Sequence, residues 1–255
     1  MGEFPATAGA APVLAFSSIG STNEEALARA RGGEMGPLWI AAERQTAGRG
    51  RRGRQWISER GNLFASLLLT DPAPVAEVSG ICFVAGLALH DAVLETAHGL
   101  APVQLTLKWP NDLLLDGKKL GGILVEGSSL AGGHHAAVTG FGLNCASHPA
   151  GTEFPATSLA AAGFSAAPAV VLSALGAAMD LRLAEWQRGA NFASIRAAWL
   201  ARAHGIGAAI EVRLADRTLA GLFEAIDPAG ALVLKQRDGT RETIAAGDVF
   251  PLAGA

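Results

Sequence analysis

The chain has 255 residues, 50% of them hydrophobic and 17% charged, and carries a net charge of −3. That is enough apolar material for one large folded unit, or a large one with a small one, and the negative balance supplies no global field to attract nucleic acid. No uninterrupted apolar run reaches the length of a membrane span, and the N-terminus lacks the basic stretch, apolar core and cleavage site of a signal peptide.

Residues 1–12, rich in Ala, Gly and Pro, read as a flexible lead. An apolar run at 13–19 precedes Ser21-Thr22-Asn23-Glu24-Glu25, where Ser21 and Glu24 stand at capping-box spacing and a helix is expected through Arg31. Residues 38–43 and 62–69 read as strands flanking a Gly/Arg loop, and 79–97 has helical periodicity. A strand at 105–108 ends in Trp109-Pro110-Asn111-Asp112. Two further strands, 113–115 and 120–126, flank Asp116-Gly117, a strong hairpin signal. With Asp116-Gly117 as a two-residue turn, Leu114 pairs with Lys119 and Asp112 with Gly121, so Asp112 and Lys119 are diagonal neighbours on one face. Another strand is expected at 136–143, then helices at 169–188 and 191–203. His134 and His135 are placed in a loop.

From about Gly207 the pattern changes to short strands at 209–214, 218–226, 231–236 and 241–244, separated by turns. That predicts a small all-β module. The fold class expected is α+β, with 13–205 as the larger domain and 206–255 as the smaller, packed closely because no linker separates them. Cys82 and Cys145 sit in apolar company at no motif spacing, which suits reduced thiols and a cytoplasmic setting.

Three constellations carry chemistry. In Gly48-Arg49-Gly50-Arg51-Arg52-Gly53-Arg54-Gln55-Trp56, glycines allow close backbone approach while arginines supply permanent planar donors for phosphate or carboxylate. On composition alone the same loop also suits a solvated basic segment or a nucleic-acid contact. It is not a P-loop, because no Gly-Lys-Ser/Thr follows at the required spacing. Next, Asp112 and Lys119 on one hairpin face could grip a metal-bound phosphate, although an exposed hairpin with a surface lysine pair fits the spacing too. Third, Gly140-Phe141-Gly142-Leu143-Asn144 ends an apolar strand, with Asn144 offering donor and acceptors. No metal-ligand spacing, nucleophile elbow or Ser/His/Asp set is present.

In this order and spacing, these segments resemble the biotin protein ligase family, through residues 45–56, 108–112, 119–126 and 140–144. The resemblance implies a mixed β-sheet catalytic domain packed with helices, of the type shared with class II aminoacyl-tRNA synthetases, followed by a small SH3-like β-barrel. It implies ATP, Mg²⁺ and biotin as ligands. Ser21, Thr22, Asn23 and Gln45 would hold the biotin ureido ring, with Arg49, Gly50, Arg51, Lys119 and Gly122 completing the biotin site. Arg51, Arg52, Trp56, Asn111, Lys119 and Asn144 would bind ATP and the adenylate. Asp112 would bind the metal, and Arg51, Lys119 and Asp112 would carry catalysis.

The acceptor implied is a lysine of the biotin carboxyl carrier domain of acetyl-CoA or pyruvate carboxylase, met by a monomer or homodimer. Some family members carry an N-terminal helix-turn-helix, for which 12 residues before the first strand are too few, so no operator binding is expected. The segment 248–252 also lacks the basic residue some relatives place near ATP. A lipoate or octanoate ligase, which shares the catalytic fold, and a non-catalytic nucleic-acid module are the rival readings.

Overall fold

A computed structural model describes residues 4–252. Strand β1 (Thr7–Ala8) turns back onto β2 (Ala11–Phe16), which runs parallel to β3 (Leu38–Ala42) through the crossover helix α1 (Thr22–Arg31). The antiparallel strands β4 (Leu63–Thr70), β5 (Leu105–Lys108), β6 (Asp112–Leu115), β7 (Lys118–Ser129) and β8 (His135–Leu143) complete an eight-stranded mixed sheet of order β1-β2-β3-β4-β8-β7-β6-β5.

The central strands β3, β4 and β8 are mostly apolar on both faces because both faces are covered. Ile40, Leu68 and Val138 pack under α1 in a small cluster with Ala26 and Leu27. Their sequence neighbours Trp39, Ala41 and Leu67 point the other way, into the main core with helices α2 (Ile81–Thr96), α3 (Pro168–Trp186) and α4 (Phe192–Leu200). A 3-10 turn, Val75–Gly80, leads straight into α2, and the joined span is long and apolar enough to cross a membrane, yet most of its apolar stretch is buried inside this fold. Here it is the core helix.

The second unit is an antiparallel sheet of β9 (Ala209–Arg213), β10 (Thr218–Ile226), β11 (Leu232–Lys235), β12 (Arg241–Ile244) and β13 (Asp248–Pro251), in the order β12-β11-β10-β9-β13. It matches the small SH3-like unit expected and seats directly on the larger sheet. Trp109 Nε1 donates to Gly230 O (3.1 Å), and the Arg196 guanidinium donates to Ile226 O (2.6 Å).

Four expectations change. The lead is not flexible throughout: Ala8 and Ala11 are buried, Trp39 Nε1 donates to Ala8 O (3.1 Å), and Asp180 accepts from Ala10 N (2.6 Å); residues 1–3 lie outside the described residues. Strand β13 was not among the expected strands; it pairs with β9 at the sheet edge, where Pro251 needs no donor on its outer side. His135 belongs to β8 rather than to the loop that holds His134. Finally, the hairpin pairs Leu114 with Lys119 as expected but Asp112 with Gly122, not Gly121, because a bulge at Leu120 shifts the register by one.

Candidate active site

Ser21 caps α1, its Oγ accepting from Glu24 N (3.4 Å), so the helix starts where the ladder of β2 has ended and its first turn faces the sheet. Thr22 and Asn23 are thereby buried at the sheet surface. Gln45, just past β3, accepts at Oε1 from Thr22 N (2.8 Å) and donates through Nε2 to Ser58 Oγ (3.1 Å). Ser66 on β4, wholly buried, contacts both Thr22 Oγ1 (2.7 Å) and Asn23 Oδ1 (2.6 Å). Asn23 fits only because Gly140 lies beneath it: a Cβ there would overlap the Asn23 amide oxygen.

Strands β5, β6 and β7 bring three charges together. Lys119 Nζ stands 2.6 Å from Asp112 Oδ1, and Lys108 Nζ stands 3.5 Å from Asp112 Oδ2. Burial pushes the Asp112 carboxyl up, but the two ammonium groups outweigh it and hold it below the usual carboxylate range. Burial, aided by Lys119, lowers Lys108 against the pull of Asp112. Lys108 lies 4.6 Å over the ring of Phe154 and 6.0 Å from that of Phe250, a β13 residue, so the small unit forms part of this wall.

The basic loop does not stand free. Arg49 pairs with Glu24 and Glu126, Arg51 donates to Asn111 Oδ1 and Gly247 O (3.3 Å each), and Arg52 and Arg54 both pair with Asp248. Self-repulsion among the four arginines is offset by these internal partners. Trp56 closes the loop over two glycines of one cross-strand row, Gly122 on β7 and Gly142 on β8. A Cβ at Gly142 would sit 2.5 Å from the indole. Trp56 Nε1 is buried with no hydrogen-bond partner among the described residues.

A cavity of about 340 Å³, within the range of small-molecule sites, runs from the α1 N-terminus to the hairpin. Ser21, Thr22, Asn23, Gln45, Arg49, Gly50, Arg51, Trp56, Asn111, Asp112, Lys119, Gly122 and Asn144 all line it. Of the residues singled out from sequence, Arg52 alone is absent from the lining; it has a positive φ of 56° and pairs with Asp248. Asn144 lines the wall, but its Nδ2 is spent on Thr157 O (3.0 Å), which clamps the 155–159 segment. Asn111 Nδ2 likewise donates to Ile123 O (2.6 Å), leaving Oδ1 to Arg51. Lys108, Phe154 and Phe250 were not singled out as site residues, nor was Ser66. A lysine ending an apolar strand before Trp-Pro was the available signal for the first.

Among the described residues no group of three or more His, Cys, Asp and Glu could hold a metal alone. Asp112 Oδ1 is nonetheless a buried oxygen that accepts no hydrogen bond of good angle, despite the ammonium beside it. With Lys119 drawn to an arriving phosphate, this single carboxylate oxygen suits Mg²⁺ that brings its own phosphate ligands.

Residues 18–144 match the model of the biotin/lipoate A/B protein ligase family, and residues 205–250 match that of the biotin protein ligase C-terminal domain. The chain is 41% identical to a biotin–[acetyl-CoA-carboxylase] ligase of Paracoccus denitrificans, over 90% of this chain and 96% of that one. It belongs to the biotin protein ligase family. Two solved ligases have the same fold. The enzyme from Aquifex aeolicus, in complex with biotin and ATP, superposes with a TM-score of 0.76 at 23% identity, covering 93% of this chain and 97% of that one. The Leishmania major ligase, in complex with biotinyl-5-AMP, gives 0.65 at 26% identity, covering 92% and 98%. As a family member, the chain has both the ligase catalytic sheet and the C-terminal unit, and the cavity lies where they meet.

Proposed function

We propose that this protein is an ATP-dependent biotin protein ligase, forming biotinyl-5′-AMP from biotin and MgATP and passing biotin to a lysine of a biotin carboxyl carrier domain, that of acetyl-CoA or pyruvate carboxylase. The observation that carries the reading is the two-ended cavity. Ser21, Thr22 and Gln45, which can match a ureido carbonyl and its N–H groups, stand at one end. Arg51, Lys119 and Asp112, suited to a carboxylate meeting a phosphate, stand at the other.

In the first step a biotin carboxylate oxygen attacks the α-phosphorus of ATP, and the bond to pyrophosphate breaks. Two anions must meet, and Arg51 and Lys119 offset their repulsion and the charge that develops on the phosphoryl oxygens. Lys119 leaves Asp112 to do so, and Lys108 remains to neutralise the carboxylate. Asp112 would hold Mg²⁺, which would supply further neutralisation of the phosphates. In the second step the carrier ε-amine attacks the acyl carbon and AMP leaves. Asp112, kept ionised below the usual range, suits orienting that amine by accepting a hydrogen bond from it. Trp56 and the basic loop cover the mixed anhydride and exclude water.

The test is biotin-dependent exchange of pyrophosphate into ATP, with lipoate and octanoate as controls and Arg51→Ala and Lys119→Ala beside wild type. Exchange with biotin alone, lost in both variants, is expected. Exchange with lipoate moves the protein to the sister ligases. No exchange with any acid, together with a salt-sensitive shift of labelled nucleic acid, returns the basic loop to a nucleic-acid role.

A further inference from the structure

Ser66 is a polar residue in the middle of a strand otherwise apolar from Leu63 to Leu69, and it does not line the cavity. Its hydroxyl is wholly buried, so its proton must be matched. The matching can be worked out by counting. Asn23 Nδ2 faces Glu126 Oε2 (2.8 Å) and Leu124 O (3.3 Å), both acceptors only, so the amide cannot be turned and Oδ1 must face Ser66. The 2.6 Å contact between Asn23 Oδ1 and Ser66 Oγ therefore consumes the Ser66 proton. The 2.7 Å contact between Ser66 and Thr22 is then made by the Thr22 proton, donated to Ser66 Oγ.

What remains at the cavity is a pair of acceptors. Thr22 Oγ1 and Gln45 Oε1 lie 3.1 Å apart with no proton left to place between them. Gln45 is fixed in this sense as well. Ser58 donates to Trp56 O (2.9 Å), so it must accept from Gln45 Nε2. Ser21, whose Oγ accepts from Glu24 N, keeps its own proton free. The alternative, with Ser66 donating to Thr22 and Thr22 to Gln45, leaves two bare oxygens 2.6 Å apart in a buried site.

We propose that Ser66 is a positioning residue that sets the hydrogen-bond polarity of the ligand pocket: by taking the Thr22 proton, it makes Thr22 and Gln45 a paired acceptor for the N–H groups of a cyclic urea. The inference rests on the biotin reading above and deepens it, because it makes discrimination for N–H donors depend on a side chain the ligand does not touch. Gln45 Oε1 already accepts from Thr22 N, but an acid with a purely apolar ring would leave the Thr22 oxygen facing it with no donor of its own, which sites of this kind penalise heavily.

The experiment is pyrophosphate exchange with saturation curves for biotin and for ATP, on wild type, Ser66→Ala, Thr22→Val and the double variant, each with its thermal midpoint. In Ser66→Ala the Thr22 hydroxyl is free to turn to Gln45 and consume the acceptor. The expected result is a biotin KM raised about tenfold, the loss of roughly one hydrogen bond, with kcat and the ATP KM unchanged. Because Ser66 acts through Thr22, the same substitution on the Thr22→Val background is expected to raise the biotin KM less than about twofold. Should Ser66→Ala be too unstable to assay, Ser66→Cys, a poor donor and acceptor of similar shape, carries the same comparison. An unchanged biotin KM, equal losses in both backgrounds, or parallel losses for biotin and ATP overturn the inference while the ligase reading stands. Wild type without biotin-dependent exchange overturns both.

Discussion

Lys119 Nζ reaches to within 2.6 Å of Asp112 Oδ1 across a hairpin whose ladder slips by one residue between them. The slip sets Gly122 rather than Gly121 opposite Asp112, and Gly122 is also opposite Gly142 on β8. One row of the sheet therefore carries the carboxylate and then two residues with no side chain. The Trp56 indole occupies that opening, with Lys119 5.4 Å from its ring.

Asp112→Asn tests the charge triad. The substitution leaves Lys108, nearly buried, without its anion, and breaking such a pair from one side costs about 3 kcal/mol. Urea unfolding is expected to show that loss, and Asp112→Asn/Lys108→Met to recover most of it. Neither variant is expected to catalyse pyrophosphate exchange at the wild-type rate, which separates stability from chemistry.

The same carboxylate sets a pH dependence. Its folded pKa lies below the ordinary carboxylate value of 3.8, so its contribution to stability is complete above that value and is lost as pH falls through the folded one. Lys108 has a slope of the same sign in a higher window: with its folded pKa below 10.5, stability rises with pH between the two values. Urea midpoints measured from pH 7 down to pH 3 are expected to fall more steeply for wild type than for Asp112→Asn. Equal slopes would remove Asp112 from the acid limb.

Gly142→Ala forces a Cβ into the Trp56 ring, whereas Gly127→Ala, on the neighbouring strand, meets only Ala136 O at 3.5 Å. The first is expected to lower kcat/KM for exchange by about a hundredfold, because a displacement near 1 Å at the reacting end has that order of effect. The second is expected to be neutral. Trp56 fluorescence should shift only in the first.

Asp248 holds two loop arginines from the small unit. Arg52 and Arg54 are 38% and 57% exposed, so Asp248→Asn is expected to change global stability by less than about 0.5 kcal/mol. Its effect should be local. Trypsin is expected to cut the loop faster in the variant, and biotin with ATP to protect both proteins. Equal cutting without ligand would show that Asp248 does not restrain the loop.

Much of this arrangement was legible in the sequence where a local rule governs it. Ser21 caps α1 as its spacing with Glu24 implies, and Asp116-Gly117 makes the two-residue turn, with both φ values positive. Both cysteines are free thiols, as expected, and burial pushes each up to about 12. The misses are non-local. A bulge at Leu120 depends on how β7 meets β8, and β1 is held by Trp39 and Asp180, which lie far along the chain. Phe250 enters the site only because β13 pairs with β9 and carries it to Lys108. Ser66 had no signal beyond being polar in an apolar strand.

The arginines of the 48–56 loop are already matched by oxygen atoms of the protein: carboxylates of Glu24, Glu126 and Asp248, the Asn111 amide and the Gly247 carbonyl. An incoming carboxylate or phosphate thus does not meet bare cations. At Arg49 it swaps places with a carboxylate the fold has lent, and at Arg51 with the neutral Asn111 and Gly247 oxygens, so the site behaves in part as an ion exchanger. Part of what binding gains is returned as carboxylates set loose at the rim. Affinity for the charged end should accordingly vary less with ionic strength than four arginines would suggest, and departure of the product anion is assisted by carboxylates waiting to return.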